Sequence, residues 1–247
     1  MTVFSGLLNP AGGLTYHLRS LRQHRLWEHH RKVTCEWLSG WRPQAEQLVL
    51  IGPSAGYSLP DSFLRSFTRV IALDPDPLAL GLLRLRFPAL NMLCRNENYL
   101  VTSSRRLWTD GLQVLKAKYQ GSAFLFCNIV GQLPLLTNDY SSAWVSWAEN
   151  FKRFSVDTEW ASYHDLWSAK TQGLAGQWAP PKMPGTERIK KSVAIFLNTT
   201  EPQVIHDHET SELFSVNHDR LLWTWQRTKT EVHCIEGVRE SKQFAGA

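Results

Sequence analysis

Four short apolar runs alternate with helical stretches through the middle of the chain, and this alternation constrains the fold most. The runs are Leu48 to Ile51, Val70 to Leu73, Leu90 to Cys94 and Ala123 to Cys127. Each has the length of a strand buried on both faces. Between the second and third, Asp76 is a natural N-cap, Pro77 a first helical residue, Leu78, Leu82 and Leu85 an apolar stripe, and Pro88 a stop. Arg105 to Tyr119 reads as a helix. Thr137 to Phe154 reads as another, with Trp144, Trp147, Phe151 and Phe154 on one side. Strand and helix in strict alternation give a parallel sheet with helices on both faces. Beyond Ala161 to Trp167 the alternation breaks into Ser168 to Gly185, a long loop of the kind that often forms a lid. Ser192 to Leu197 reads as a fifth strand. Leu221 to Gln226 and Val232 to Ile235 read as a terminal hairpin.

The strand ends carry the chemistry. The first run ends in Gly52-Pro53-Ser54-Ala55-Gly56. Ser58, Pro60 and Asp61 then have the spacing of a capped helix start, with Asp61 three residues after Ser58. The second run ends at Asp74, followed by Pro75. This is the plan of a nucleotide-binding β-α-β unit. Glycine lets the backbone approach a ligand, a helix start offers unpaired N–H groups, and a carboxylate on the next strand end can accept both ribose hydroxyls. The third strand ends in Asn96, Glu97 and Asn98, and the fourth in Asn128.

The 247 residues carry a net charge of +5 and a pI near 9.1, which fits an anionic partner such as RNA. The four cysteines have no zinc-type spacing and fit a reducing cytoplasm. The N-terminus lacks the basic start and apolar run of a signal peptide, and no stretch has the length of a membrane span. Residues 14 to 38 read as a helix or helix pair with Leu14, Leu18 and Leu21 on one face. The other faces carry His17, Arg19, Arg22, His24, Arg25, His29, His30, Arg31 and Lys32. That basic side is either a solvated face or a substrate-facing arm. Residues 1–45 are thus a helical basic extension, and 46–247 the α/β domain. Trp167 and Trp178 flank the long loop and are candidates for lining a pocket.

The order of elements and several strand ends resemble class I S-adenosylmethionine-dependent methyltransferases, over roughly residues 46 to 236. The resemblance implies a Rossmann-like, mostly parallel seven-stranded sheet with helices on both faces and a C-terminal antiparallel hairpin. It also implies bound S-adenosylmethionine and direct transfer of its methyl group to an acceptor, a small molecule or RNA. Gly52, Pro53, Ser54 and Gly56 stand in the place of the family's glycine-rich turn. Asp74 matches the acid that holds the cofactor ribose. Asn96, Glu97 and Asn98 fall where the family contacts the adenine, and Asn128 where it reaches the methionine moiety and the substrate. Leu50 stands where the family usually has an acid, and Ser54 where it has its middle glycine.

Other readings of the same residues stay open. A sheet that has lost catalysis and serves as a binding module fits Leu50. Gly52-Pro53-Ser54-Ala55-Gly56 is also a G-x-S-x-G nucleophile elbow, with Asp165 and His206 or His208 in hydrolase order. A nicotinamide-dependent enzyme would want glycine where Ser54 and Tyr57 stand. His164 beside Asp165 is a candidate general base, needed only for a protonated acceptor. His206-Asp207-His208-Glu209 lacks a third metal ligand at defined spacing, so no metal is expected.

Overall fold

The computed structural model describes residues 13–138, 140–170, 205–210, 213–214 and 218–240. Two helices, α1 (Gly13–Arg22) and α2 (Glu28–Ser39), precede the sheet. Then follow β1 (Gln47–Ile51), α3 (Asp61–Leu64), β2 (Arg69–Leu73), α4 (Pro77–Arg86), β3 (Met92–Arg95), α5 (Gly111–Lys118) and β4 (Ala123–Cys127). A 3-10 turn at Val130–Gln132 leads to α6 (Leu133–Leu136) and α7 (Tyr140–Ser155). The chain ends in β5 (Trp160–Lys170), β6 (Ile205–Asp207), β7 (Asp219–Thr228) and β8 (Glu231–Arg239).

Seven strands make one continuous path in the order β3-β2-β1-β4-β5-β8-β7, and an eighth, β6, pairs with β5. The first five strands are parallel. β8 runs antiparallel to β5 and to β7. The mostly parallel sheet and the terminal hairpin are therefore both present. The four apolar runs are strands because each feeds two cores. Leu48 and Leu50 of β1 face one with Trp223 and Trp225, while Val49 and Ile51 face the other with Phe124, Phe126 and Phe154.

Three local expectations are corrected. Ser58 does not cap the helix after β1: its hydroxyl pairs with His30 Nε2 at 3.0 Å, and α3 is a single turn entered through Pro60. The segment from Ala161 belongs to β5, eleven residues long, which continues through Ser168 to Lys170. Its strand character is hidden in the sequence because Ser162, His164 and Asp165 sit in its buried middle. Trp167, at the edge of the expected loop, is core. Residues 171–185, with Trp178, and the expected strand at Ser192 to Leu197 lie outside the described residues. Among the described residues no helix is long and apolar enough to cross a membrane.

The third correction concerns α1, whose faces are inverted. Leu14, Leu18 and Leu21 are 47%, 42% and 66% exposed, whereas His17 and Ser20 are buried. α2 packs on the hairpin side of the sheet, with Trp37 and Leu38 in the same core as Trp223. His30, expected on a solvated face, is also buried. Its Nδ1 accepts the Trp223 indole N–H at 2.9 Å, so Nε2 carries the proton toward Ser58.

Burial lowers the pKa of His30 from 6.5 to about 3, despite the field of Asp165. Below pH 6.5 the unfolded chain takes up a proton that the native chain refuses. Native stability contributed by this site therefore falls as pH drops from 6.5 toward 3, by up to about 1.4 kcal/mol per pH unit. Urea unfolding of His30→Asn, which keeps an acceptor for Trp223, should show a flatter loss of stability between pH 6.5 and 4.5. An unchanged slope would remove His30 as its source.

Candidate functional site

The carboxyl ends of the parallel strands form the candidate site. β1 lies between β2 and β4, so the connections leaving the β1 and β4 ends turn to opposite sides of the sheet. Open α/β sheets bind ligands in the crevice at such a switch point. The backbone there is irregular. Gly52, Ser54, Gly56 and Asn128 all have positive φ, at 65, 50, 66 and 52°. For Ser54 and Asn128 this is a sparsely populated conformation, and such residues cluster at ligand sites. Gly52 admits the Ile129 side chain, whose Cβ lies 3.0 Å from where a Gly52 Cβ would stand. A Cβ on Gly56 would run into Leu83 and Phe87 at 2.6 and 2.9 Å, so the turn is seated on α4.

Asp74, at the end of β2, is buried. Its Oδ2 accepts the Ser54 N–H and its Oδ1 the Asp76 N–H, each at 2.9 Å. Burial pushes its carboxyl up to about 6, and those two N–H groups hold it from rising further. Pro53 is buried and Pro75 exposed. Asp76 caps α4 by accepting the Leu78 N–H at 2.9 Å. Its other oxygen accepts the Gly13 N–H at 3.0 Å, which brings α1 over the strand ends. His17 of α1 contacts the Tyr57 hydroxyl through Nδ1 at 2.9 Å. His17 Nε2 lies 3.7 Å from Asp76 Oδ2, buried and without a hydrogen-bond partner.

The β3 end is partly committed to its own structure. Asn98 Oδ1 accepts the N–H groups of Leu100 and Val101. Glu97 accepts from Tyr99, Tyr119 and Lys118, which holds its carboxyl below the usual range against partial burial. Asn96 is exposed. On the other side of the switch point, Asn128 is welded to β5. Its Oδ1 accepts the Asp165 N–H at 2.8 Å and its Nδ2 lies 3.3 Å from Asp165 Oδ2.

Asp165 is the centre of a buried polar cluster. It accepts from Gln132 Nε2 and from His233 Nδ1, the latter at 2.8 Å. His233 Nε2 faces Glu231 at 3.3 Å, and Glu231 pairs with Arg227 at 3.1 Å. Burial alone would raise Asp165, but the His233 charge holds its carboxyl well below the usual range. Burial would likewise lower His233, yet Asp165 and Glu231 raise it. The hydrogen bond from His233 brings Glu231 down to about 2. His208 donates through Nδ1 to the Gly131 carbonyl at 2.7 Å, which leaves Nε2 to accept from Ser168 Oγ at 3.0 Å. Gly131 is required at this spot because a Cβ would lie 2.4 Å from the Asp165 carbonyl oxygen.

Asp165, His208 and His233 have ligand-type atoms within 4.8 Å of one another. Both nitrogens of His233 face carboxylates, so it is held as an imidazolium whose charge, with Arg227, balances Asp165 and Glu231. A metal would have to displace that proton.

The neighbours His164 and Asp165 turn to opposite faces of β5. His164 is fully buried between Ser162 Oγ at 3.0 Å and Glu236 Oε2 at 3.3 Å, and Arg220 pairs with Glu236. The two do not form one acid–base unit. For the hydrolase reading, Asp165 and His208 do come together, but the hydroxyl on His208 belongs to Ser168. Among the described residues Ser54 has no hydrogen bond to either histidine, and His206 is exposed. Leu50 is fully buried in the core. Tyr57, Gln132, Ser168 and His233 were not singled out as site residues in the sequence, and His17 stood out only as part of the basic side of the first helix.

No protein-family model and no curated protein sequence matches the chain. Solved structures do resemble it. One is a SAM-dependent methyltransferase from Anabaena variabilis, at 11% identity over 83% of this chain and 81% of that one, with a TM-score of 0.44. Another is the N-methyltransferase NodS from Bradyrhizobium japonicum, at 9% identity over 88% and 98% of the two chains, with a TM-score of 0.44. A third, described as a DhpI-SAM-HEP complex, has 12% identity over 97% and 100%, with a TM-score of 0.45.

Proposed function

We propose that the chain binds S-adenosylmethionine at the β1, β2 and β3 ends and transfers its methyl group to an acceptor lying over β4 and β5. The observation that carries this reading is Asp74. Its buried carboxylate is aimed by the N–H groups of Ser54 and Asp76, beside a positive-φ turn at a topological switch point. Each carboxylate oxygen keeps lone-pair capacity after its one backbone bond, enough for a ribose diol. The buried His17 Nε2, 3.7 Å from Asp76 Oδ2, is a second polar group at the same strand ends. The residues therefore fit the group.

Asp74 would hold the ribose hydroxyls, with Pro75 beside it. Gly52, Pro53, Ser54 and Gly56 would face the methionine end. Asn96 to Asn98 would border the adenine, and Asn128 would mark the boundary with the acceptor. The cofactor supplies a methyl on a positive sulfonium, displaced in line. The chain's own residues therefore mainly position the acceptor and exclude water. α1 supports the second task, with Tyr16 packed against Trp27 and Tyr57 over the strand ends. His164 has no part in this reading, because its contacts are all internal.

Leu50 favours a second reading, a module that binds the nucleoside without turnover, since no carboxylate stands there to orient the amino acid end. Thermal unfolding separates the readings. S-adenosylmethionine and S-adenosylhomocysteine should each raise the Tm, and NAD should not. Absence of both shifts would sink the cofactor assignment. Binding without transfer to any acceptor would favour the module. Labelling of Ser54 or Ser168 by a fluorophosphonate would favour a hydrolase.

A further inference from the structure

We infer that Asp165, His208 and His233 form a binding site for a divalent transition ion of the zinc type. Asp165 lies on β5, His208 just after β6 and His233 on β8, and all three are buried. His206-Asp207-His208-Glu209 lacks a third ligand along the sequence, and the fold supplies it from two other strands. The ligand-type atoms of the three lie within 4.8 Å of one another. Small side-chain rotations would close them on one ion with bonds of about 2.0–2.2 Å. Two imidazoles and one carboxylate suit zinc and its neighbours, whereas magnesium and calcium take oxygen ligands.

The contacts behind the three side chains carry the inference. A metal-binding histidine donates its far ring N–H to a carboxylate or a backbone carbonyl, which fixes the tautomer and aims the other nitrogen. Both histidines are held this way. His208 donates through Nδ1 to the Gly131 carbonyl at 2.7 Å and leaves Nε2 to the cluster. His233 Nε2 faces the Glu231 carboxylate at 3.3 Å, and its Nδ1 meets Asp165 Oδ1 at 2.8 Å. Asp165 Oδ2 is held by Gln132 Nε2 and Asn128 Nδ2, which leaves Oδ1 toward the histidine. An ion would take the place of the Nδ1 proton between His233 and Asp165, so the imidazolium is the metal-free state of the same site.

The backbone is shaped to the cluster as well. Residues three apart on a regular strand face opposite ways. A register shift between Asp165 and Trp167 brings Asp165 and Ser168 to the same histidines. Such bulges re-aim side chains beside functional sites. Ser168 pairs with His233 across the strands, and its Oγ lies 3.0 Å from His208 Nε2. Ser168, Gln132 and Asn128 are half-buried, so the buried ligands are reached from their side. A divalent ion in place of one proton leaves the cluster one charge more positive, which fits an oxyanion as the remaining ligand. Asn128 joins Asp165 to the crevice, on the side given to the acceptor. An acceptor oxygen on the ion rests on the methyl-transfer reading, whereas the ion site does not.

The test is isothermal titration of the chelator-treated full chain with Zn²⁺, and absorption spectroscopy of the same chain with Co²⁺. Zn²⁺ should bind saturably at one site and raise the Tm, and Mg²⁺ should do neither. Co²⁺ should give visible ligand-field bands without the thiolate charge-transfer band that a cysteine ligand produces. H208N keeps a donor for the Gly131 carbonyl and removes Nε2, while H233Q keeps a donor for Glu231 and removes Nδ1. Each should raise the Zn²⁺ Kd by more than about tenfold. H208N lies outside the Asp165–His233 ion pair and decides the matter if H233Q is too unstable to titrate. Absence of Zn²⁺ binding, a thiolate band, or an unchanged Kd in H208N overturns the inference. Zn²⁺ binding without any S-adenosylmethionine-induced Tm shift would overturn methyl transfer and leave the ion site standing. A cofactor shift without Zn²⁺ binding would do the reverse.

Discussion

Asp74→Asn should abolish the rise in Tm produced by S-adenosylmethionine. A ligand at one hundred times its Kd stabilises the native state by about 2.7 kcal/mol. Most of that increment depends on a carboxylate that can accept both ribose hydroxyls. The amide offers one acceptor and turns a donor toward either Ser54 or Asp76, whose N–H groups now point at the two carboxylate oxygens. The ligand-free variant should therefore also lose stability, by about 1–3 kcal/mol for one backbone N–H left without its acceptor. The two losses are separable. The first is the difference between scans with and without ligand, and the second is the difference between ligand-free proteins. An undiminished ligand increment in Asp74→Asn would take Asp74 out of the site.

The largest loss of stability should come from Asp165→Ala, about 3–5 kcal/mol at pH 6, the range for breaking a buried ion pair by removing one partner. The variant leaves His233 charged and buried, and strips acceptors from Gln132 and Asn128. pH gives the sign. Asp165 is depressed below its ordinary 3.8, so its contribution is present above that pH and lost as pH falls through the lower, folded value. His233 is raised above its ordinary 6.5, so its contribution is complete below 6.5 and fades as pH rises through the higher, folded value. The pair is therefore worth most between about pH 4 and 6.5. Chemical denaturation at pH 5.5 and pH 9 checks it. A cost of Asp165→Ala that does not shrink at the higher pH would mean that His233 is not the charged partner.

Much of this architecture was readable in the sequence because parallel strands buried on both faces are continuous apolar words. Leu48 to Ile51, Val70 to Leu73 and Ala123 to Cys127 could be little else. Asp74, Gly52 and Asn128 were legible for a related reason: strand ends follow from strands. β5 was not, because its interior carries Ser162, His164 and Asp165, each satisfied by a partner distant in sequence. No pattern of nearest neighbours can report that His233 will neutralise a carboxylate 68 residues away. α1 misled for the opposite reason. Its leucines have faultless helical spacing, but the face that docks is chosen by Asp76 and Tyr57, which await Gly13 and His17 at the strand ends.

That inverted docking has a thermodynamic corollary. α1 is held by polar contacts at Gly13 and His17 and by one aromatic anchor, Tyr16 against Trp27 and Tyr57, so with its leucines already wet its detachment would uncover far less apolar area than unfolding of the sheet. Such a fluctuation has a small m-value and a small heat-capacity change. Detachment of α1 would therefore respond to urea less steeply than unfolding of the sheet.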